Sequence, residues 1–142
     1  SDSINKVSKK TGIYNEIMQF PKTFKTIIGE RGVILSGGQK SRLTLARALY
    51  KPHKLLILDD ILSAVDHETE TDLIKTITTL DHNPSSIIIS HRISSLLHCD
   101  HILVLENGEI INEGTHKDLI KLDGIYKYTW DYQQMEEQLN DV

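Results

Sequence analysis

With 142 residues, 39% hydrophobic and 25% charged, the sequence suits one globular domain or a large piece of one. A net charge of −4 without any sustained block of like charge argues against gripping nucleic-acid phosphates through clustered Lys and Arg. The longest apolar runs, such as Leu55 to Leu58 and Ile87 to Ile89, cannot span a bilayer, no signal peptide is evident, and the lone Cys99 has no internal disulfide partner. The expectation is a soluble intracellular piece, and a start at Ser1 without an initiator Met suggests that it was cut from something longer.

The first dozen residues are polar and predict no element. Ile13, Ile17 and Phe20 at helical spacing predict a short helix that Pro21 ends. Gly29-Glu30-Arg31-Gly32 reads as a loop. Ser36 with Gln39 three residues on predicts a capped helix start; Leu43, Leu45, Ala46, Ala48 and Leu49 carry the helix on, and Pro52 places its end near Tyr50 or Lys51. Leu55-Leu56-Ile57-Leu58 predicts a strand buried on both faces of a parallel sheet. Asp66 predicts another helix cap, with Leu73, Ile74, Ile77 and Leu80 as the apolar stripe behind it, and Asn83-Pro84 breaks the chain.

Ser86 to Ser90 predicts a second buried strand, followed by a short helix through Ile93, Leu96 and Leu97. Ile102 to Leu105 and Glu109 to Glu113 flank Asn107-Gly108, a tight-hairpin signal. Thr115 caps a predicted helix through Leu119, Ile120 and Leu122; Asp123-Gly124 closes it, and a last amphipathic helix begins at Ile125. Strands alternating with helices imply an α/β domain with a mostly parallel sheet. Ligands on such sheets bind at the carboxyl ends of strands, where Asp59, Asp60 and His91 fall.

Three groups of residues can carry chemistry. In Leu35-Ser36-Gly37-Gly38-Gln39 the glycines would let a phosphate approach backbone at a helix start, and Ser36 adds a hydroxyl; the bland alternative is an ordinary capped helix after a glycine turn. Asp59 at a strand end can hold Mg²⁺ through water, and Asp60 can orient or polarise an attacking water; the alternative is a pair of turn or capping aspartates. His91 could contact a terminal phosphate, although a lone histidine is more often a surface or capping residue.

As an ordered set, these segments resemble the nucleotide-binding domain of ABC transporters. Leu35 to Gln39 resembles the signature, continued by Lys40-Ser41-Arg42; Leu55 to Asp59 the Walker B strand; Ser63-Ala64-Val65-Asp66 the D-loop; His91 the switch histidine. Gly29 to Gly32 is similar to the exporter loop that touches coupling helices, and Asn107-Gly108, Glu113-Gly114-Thr115-His116 and Gly124-Ile125-Tyr126 also look exporter-like. The resemblance runs from about Ile13 to about Leu139.

It implies the C-terminal part of an incomplete P-loop NTPase (RecA-like) α/β domain: a parallel sheet flanked by helices, with a remnant of the ABC helical subdomain over residues 1–51 and the rest of the core with C-terminal helices over 52–142. It further implies an exporter ATPase on the cytoplasmic side of a membrane, using ATP and Mg²⁺. Its partners would be an exporter transmembrane domain and a second ABC nucleotide-binding domain in a head-to-tail homodimer or heterodimer, with no nucleic acid. Ser36, Gly37, Gly38 and Gln39 would serve the partner's ATP; Asp59, for Mg²⁺ through water, with Asp60 and His91 as catalytic residues, would serve the chain's own; Ser63 and Asp66 would belong to the D-loop.

The sequence departs from the family pattern twice. It contains no G-x-x-x-x-G-K-[ST], the loop that cradles phosphates, so the chain alone is expected to be inactive. Asp60 stands where most members carry a catalytic Glu, one methylene longer. A non-transport ABC ATPase of the DNA-repair or chromosome type shares the signature and Walker B, and Asp60 also suits a regulatory subunit of low turnover.

Overall fold

The structure is a computed structural model that describes residues 2–30, 32–80 and 84–140. Arg31 and Asn83, in the expected loop and chain break, lie outside the described residues. Two compact units form, Ser1–Ile89 and Ser90–Val142.

In the first unit, α1 (Asp2–Lys10) occupies the segment for which the sequence predicts no element. Its buried polar residues are satisfied locally: the Ser8 hydroxyl donates to the Ile4 carbonyl, and that of Thr11, just beyond the helix, to the Val7 carbonyl at 3.1 Å. Back-bonding of this kind hides a buried face behind a polar sequence. α2 (Tyr14–Gln19) ends at Phe20 before Pro21, as expected. Val7, Ile13 and Ile17 pack on Ala46 of α3 (Gly37–Leu49), and Arg42 of α3 pairs with Glu16 of α2 at 2.6 Å.

α3 also supplies Leu45 to the larger core. There it meets Leu56 and Leu58 of β1 (Leu55–Asp59), Leu62 and Val65 of the following loop, Leu73, Ile74 and Ile77 of α4 (His67–Thr78), and Leu80. β1 pairs in parallel with β2 (Ser85–Ile89), from Leu55 opposite Ser85 to Asp59 opposite Ile89.

The strands correct one expectation. Burial along β1 alternates: Leu56 and Leu58 are buried, whereas Leu55 and Ile57 are exposed, as are Ile87 and Ile89 of β2. Strand side chains point alternately to opposite faces, and the Leu56/Leu58 face is the one packed in the core shared with α3 and α4. An all-apolar run therefore does not mean burial on both faces here. β2 also lies one residue earlier than predicted.

The second unit opens with a single 3₁₀ turn, Ile93–Leu96. β3 (Ile102–Glu106) and β4 (Glu109–Gly114) form the expected antiparallel hairpin, with a bulge near Val104 and Leu105. Asn107 and Gly108 both have positive φ, 51° and 83°, which a two-residue turn of matching twist requires. α5 is shorter than predicted, only His116–Leu119, and α6 runs Ile125–Asn140. Ile93, Ile102, Leu119 and Tyr126 form the core of this unit, with Trp130 and Cys99 against it. Among the described residues no helix is long and apolar enough to cross a membrane.

Candidate functional site

In the first unit, α3 starts at a reciprocal cap. The Gln39 N–H donates to Ser36 Oγ at 3.2 Å and the Ser36 N–H to Gln39 Oε1 at 2.9 Å. Ser36 Oγ accepts in this cap, so its own proton stays available to another acceptor. The capped end is exposed at Ser36 and Gly37, and the positive end of the helix dipole favours an anion there.

The glycines have a packing role of their own. A Cβ on Gly37 would come within 3.1 Å of the Ala64 side chain, and one on Gly38 within 3.3 Å of the Ala64 carbonyl oxygen. The missing side chains let the start of α3 lie against the Ser63–Asp66 loop. Leu62 and Val65 hold this loop in the core, while Ser63, Ala64 and Asp66 stay exposed.

The two aspartates differ in backbone setting. Asp59 is the last residue of β1 and is exposed. Asp60 leaves the strand with φ of 50°, and its N–H donates to the Ile89 carbonyl at 2.9 Å, adding a rung beyond the β1–β2 ladder. The Asp60 carbonyl then accepts from the Ser63 hydroxyl at 2.8 Å. Ser63 thus closes the turn between the aspartates and the loop that meets α3.

Asp66 caps α4. Its Oδ1 accepts from the Thr69 N–H at 2.9 Å and its Oδ2 from the Thr69 hydroxyl at 2.8 Å. These bonds, the backbone one foremost, hold its carboxyl below the usual aspartate range.

His91 opens the second unit, exposed after Ser90. Its loop is held by Gln133 of α6, whose amide donates to the His91 carbonyl at 2.7 Å and accepts from the Ile93 N–H at 2.9 Å. Ser90 Oγ accepts from the Arg92 N–H at 3.0 Å. Gln133 is the positioning residue that the sequence did not disclose; nothing in its local pattern separates it from a surface glutamine. His116 packs inward, its Nδ1 2.9 Å from the Tyr126 hydroxyl and its ring edge-on to Trp130. Burial depresses its pKa and lifts that of Tyr126 to about 12.

The first unit therefore gathers Ser36, Gly37, Gly38 and Gln39 with Ser63 and Asp66, and joins them through Ser63 to Asp60 and Asp59; His91 belongs to the second unit. Among the described residues no group of three or more His, Cys, Asp or Glu is arranged to hold a metal ion.

A nucleotide-triphosphatase type of α/β domain, with polar groups at strand ends and a glycine-rich helix start, is the class this geometry suits. Residues 3–63 match the family described as ABC transporter. The chain is 43% identical over 97% of its length to the multidrug resistance-like ATP-binding protein MdlA of Buchnera aphidicola (24% of that protein). It is 39% identical over 93% of its length to the mitochondrial ABC transporter B family member 24 of Arabidopsis thaliana (19% of that protein). The solved structure of a bacterial Atm1-family ABC exporter with ATP bound superposes with a TM-score of 0.86 at 36% identity, covering 94% of this chain and 24% of the exporter chain. The chain belongs to the ABC transporter family. It is part of a nucleotide-binding domain of the exporter type, and it spans about a fifth to a quarter of the length of these relatives.

Two predictions follow from the seating of α3. Gly37→Ala should lower the unfolding free energy by about 1 kcal/mol, the low end of overpacking costs, whereas Gly38→Ala should stay within about 0.5 kcal/mol as reduced unfolded-state entropy offsets its looser contact. Urea denaturation of both variants measures the difference, and equal effects would remove the packing argument.

Asp66 gives a pH dependence of known sign. Its folded pKa lies below the unfolded value of 3.8, so its stabilisation is fully present above pH 3.8 and is lost as pH falls through the folded pKa. Asp66→Ala should flatten the fall of melting temperature over that acid window. A variant as acid-sensitive as the parent chain would show that the cap does not titrate with folding.

Proposed function

We propose that this chain belongs to the ATP-binding, ATP-hydrolysing subunit of an ABC exporter and that ATP hydrolysis there powers export across a membrane. The observation that carries the reading is the seated signature: a capped, two-glycine helix start lying against the Ser63–Asp66 loop that follows the paired aspartates. The exporter relatives support it further. Residues 1–51 act as part of the helical subdomain and residues 52–142 as part of the catalytic core.

In this reading two nucleotide-binding domains close head to tail, and the subunit docks on a transmembrane domain. Ser36, Gly37, Gly38 and Gln39 face the ATP held by the partner domain, with the Ser36 hydroxyl as donor and the start of α3 as the positive end of a dipole. Asp59, one exposed carboxylate at a strand end, suits Mg²⁺, which keeps several waters and needs few protein ligands. Mg²⁺ would supply charge neutralisation at the phosphates. Asp60 accepts a proton from the attacking water, and His91 contacts the terminal phosphate. Catalysis is mainly positioning and charge stabilisation of in-line attack.

Asp60 favours low turnover within this reading. Its backbone is fixed by the bond to Ile89, so the short side chain has little freedom to advance. In the complete exporter, Asp60→Glu should raise hydrolysis at the site this strand serves by about tenfold, equivalent to about 1.4 kcal/mol off the barrier. Site-resolved trapping of labelled nucleotide measures it. Unchanged turnover in both Asp60→Glu and Asp60→Asn would deny Asp60 the role of base.

The 142 residues contain no phosphate-cradling G-x-x-x-x-G-K-[ST] loop, so on this reading the chain by itself neither holds ATP tightly nor hydrolyses it. Titration calorimetry with Mg-ATP should give no micromolar binding, the level of about −8 kcal/mol. Such binding would overturn this part of the reading.

A further inference from the structure

α6 has two apolar faces where a surface helix needs one. Tyr126, Trp130 and Gln133 lie on the side that packs or hydrogen-bonds within the second unit. Ile125, Tyr128, Tyr132, Met135 and Leu139 form a separate row, between 44% and 77% exposed. At about 100° per residue, this row sits roughly 150° around the helix from the packed one. Its spacing alternates three and four residues, the repeat of a seam that a second helix can enter along its whole length.

The charges beside the row restrict what fits. With Ile125, Tyr132 and Leu139 as the first positions of successive heptads, the flanking positions are Thr129, Asp131, Glu136 and Gln138. Asp131 and Glu136 are exposed. The nearby Lys127 is already paired with Asp123 at 2.9 Å. In a parallel pair of identical chains, Asp131 of each helix would face Glu136 of the other. The flanks are thus acidic, and a second copy meets them with like charge.

We propose that the outer face of α6 is a docking seam for a helix of a different polypeptide, one whose own apolar stripe is flanked by Lys or Arg. The seam does not depend on the ATPase reading. At two heptads it is short, so the contact is one element of a larger assembly rather than a tight interface alone.

The test uses the full chain, ¹⁵N-labelled, at neutral pH and low salt. Two synthetic three-heptad helices with the same Ile and Leu seam serve as probes, one with Lys and the other with Glu at the flanking positions. The Lys helix should shift the amide resonances of residues 125–139 saturably, at concentrations at least about tenfold lower than the Glu helix. Tyr128→Ser with Met135→Ser should abolish the shifts while far-ultraviolet circular dichroism stays unchanged, because both side chains face solvent. Asp131→Lys with Glu136→Lys should reverse the preference between the probes. Equal response to both helices, or response to neither, overturns the proposal. Concentration-dependent dimerisation in sedimentation, abolished by the double serine variant, would assign the seam to a second copy and overturn it equally.

Discussion

The first unit depends on how closely one helix can start beside one loop. Gly37 and Gly38 leave no Cβ between α3 and Ala64, and that approach sets where everything near it sits. On the loop side, Leu62 and Val65 are fixed in the same core that holds Leu45 of α3. Core packing and site geometry are therefore one constraint. A change that pushed the helix off the loop would also disturb the turn in which Ser63 holds the Asp60 carbonyl. Two residues readily taken for a phosphate cradle are also what lets two backbone segments meet.

Local chemistry was the legible part of the sequence. The Ser36–Gln39 cap, the Asp66 cap, the Asn107-Gly108 turn and the stop before Pro21 each depend on residues within a few positions of one another, and each appears as read. What was not legible depends on distance or on concealment. α1 escaped because Ser8 and Thr11 are buried yet bond to their own helical turn, so their polarity carries no warning of burial. The exposed face of β1 and β2 escaped because an unbroken apolar run records composition and not which side is covered. Gln133 escaped because both its partners lie some forty residues earlier. The candidate site was legible as a set of residues in order; the reason for its glycines became visible only with Ala64 in place.

Both units combine local caps with longer polar ties. In the first, hydrogen bonds to side chains cluster at helix starts and at the turn after β1, while Arg42 reaches Glu16 and the Thr76 hydroxyl donates to the Lys10 carbonyl. In the second, Gln133 reaches the His91 loop and His116 reaches Tyr126. His116 fits its place as a neutral ring, since burial lowers its pKa and its neighbours are a hydroxyl and an indole. The exporter-like Glu113 to His116 stretch is thus partly explained as packing within its own unit.

The clamp by Gln133 has a consequence for how the molecule is made. The backbone of His91 is secured by a side chain 42 positions further along. At a synthesis rate of 5–20 residues per second, that side chain is added roughly 2–8 s after the histidine it holds. During that interval β1, β2 and both aspartates already exist as polymer, while the histidine loop lacks its Gln133 clamp. Synthesis is thus ordered in time here: a ribosome stalled between the two positions would carry every residue of the first unit and the histidine loop, but not the side chain that clamps that loop.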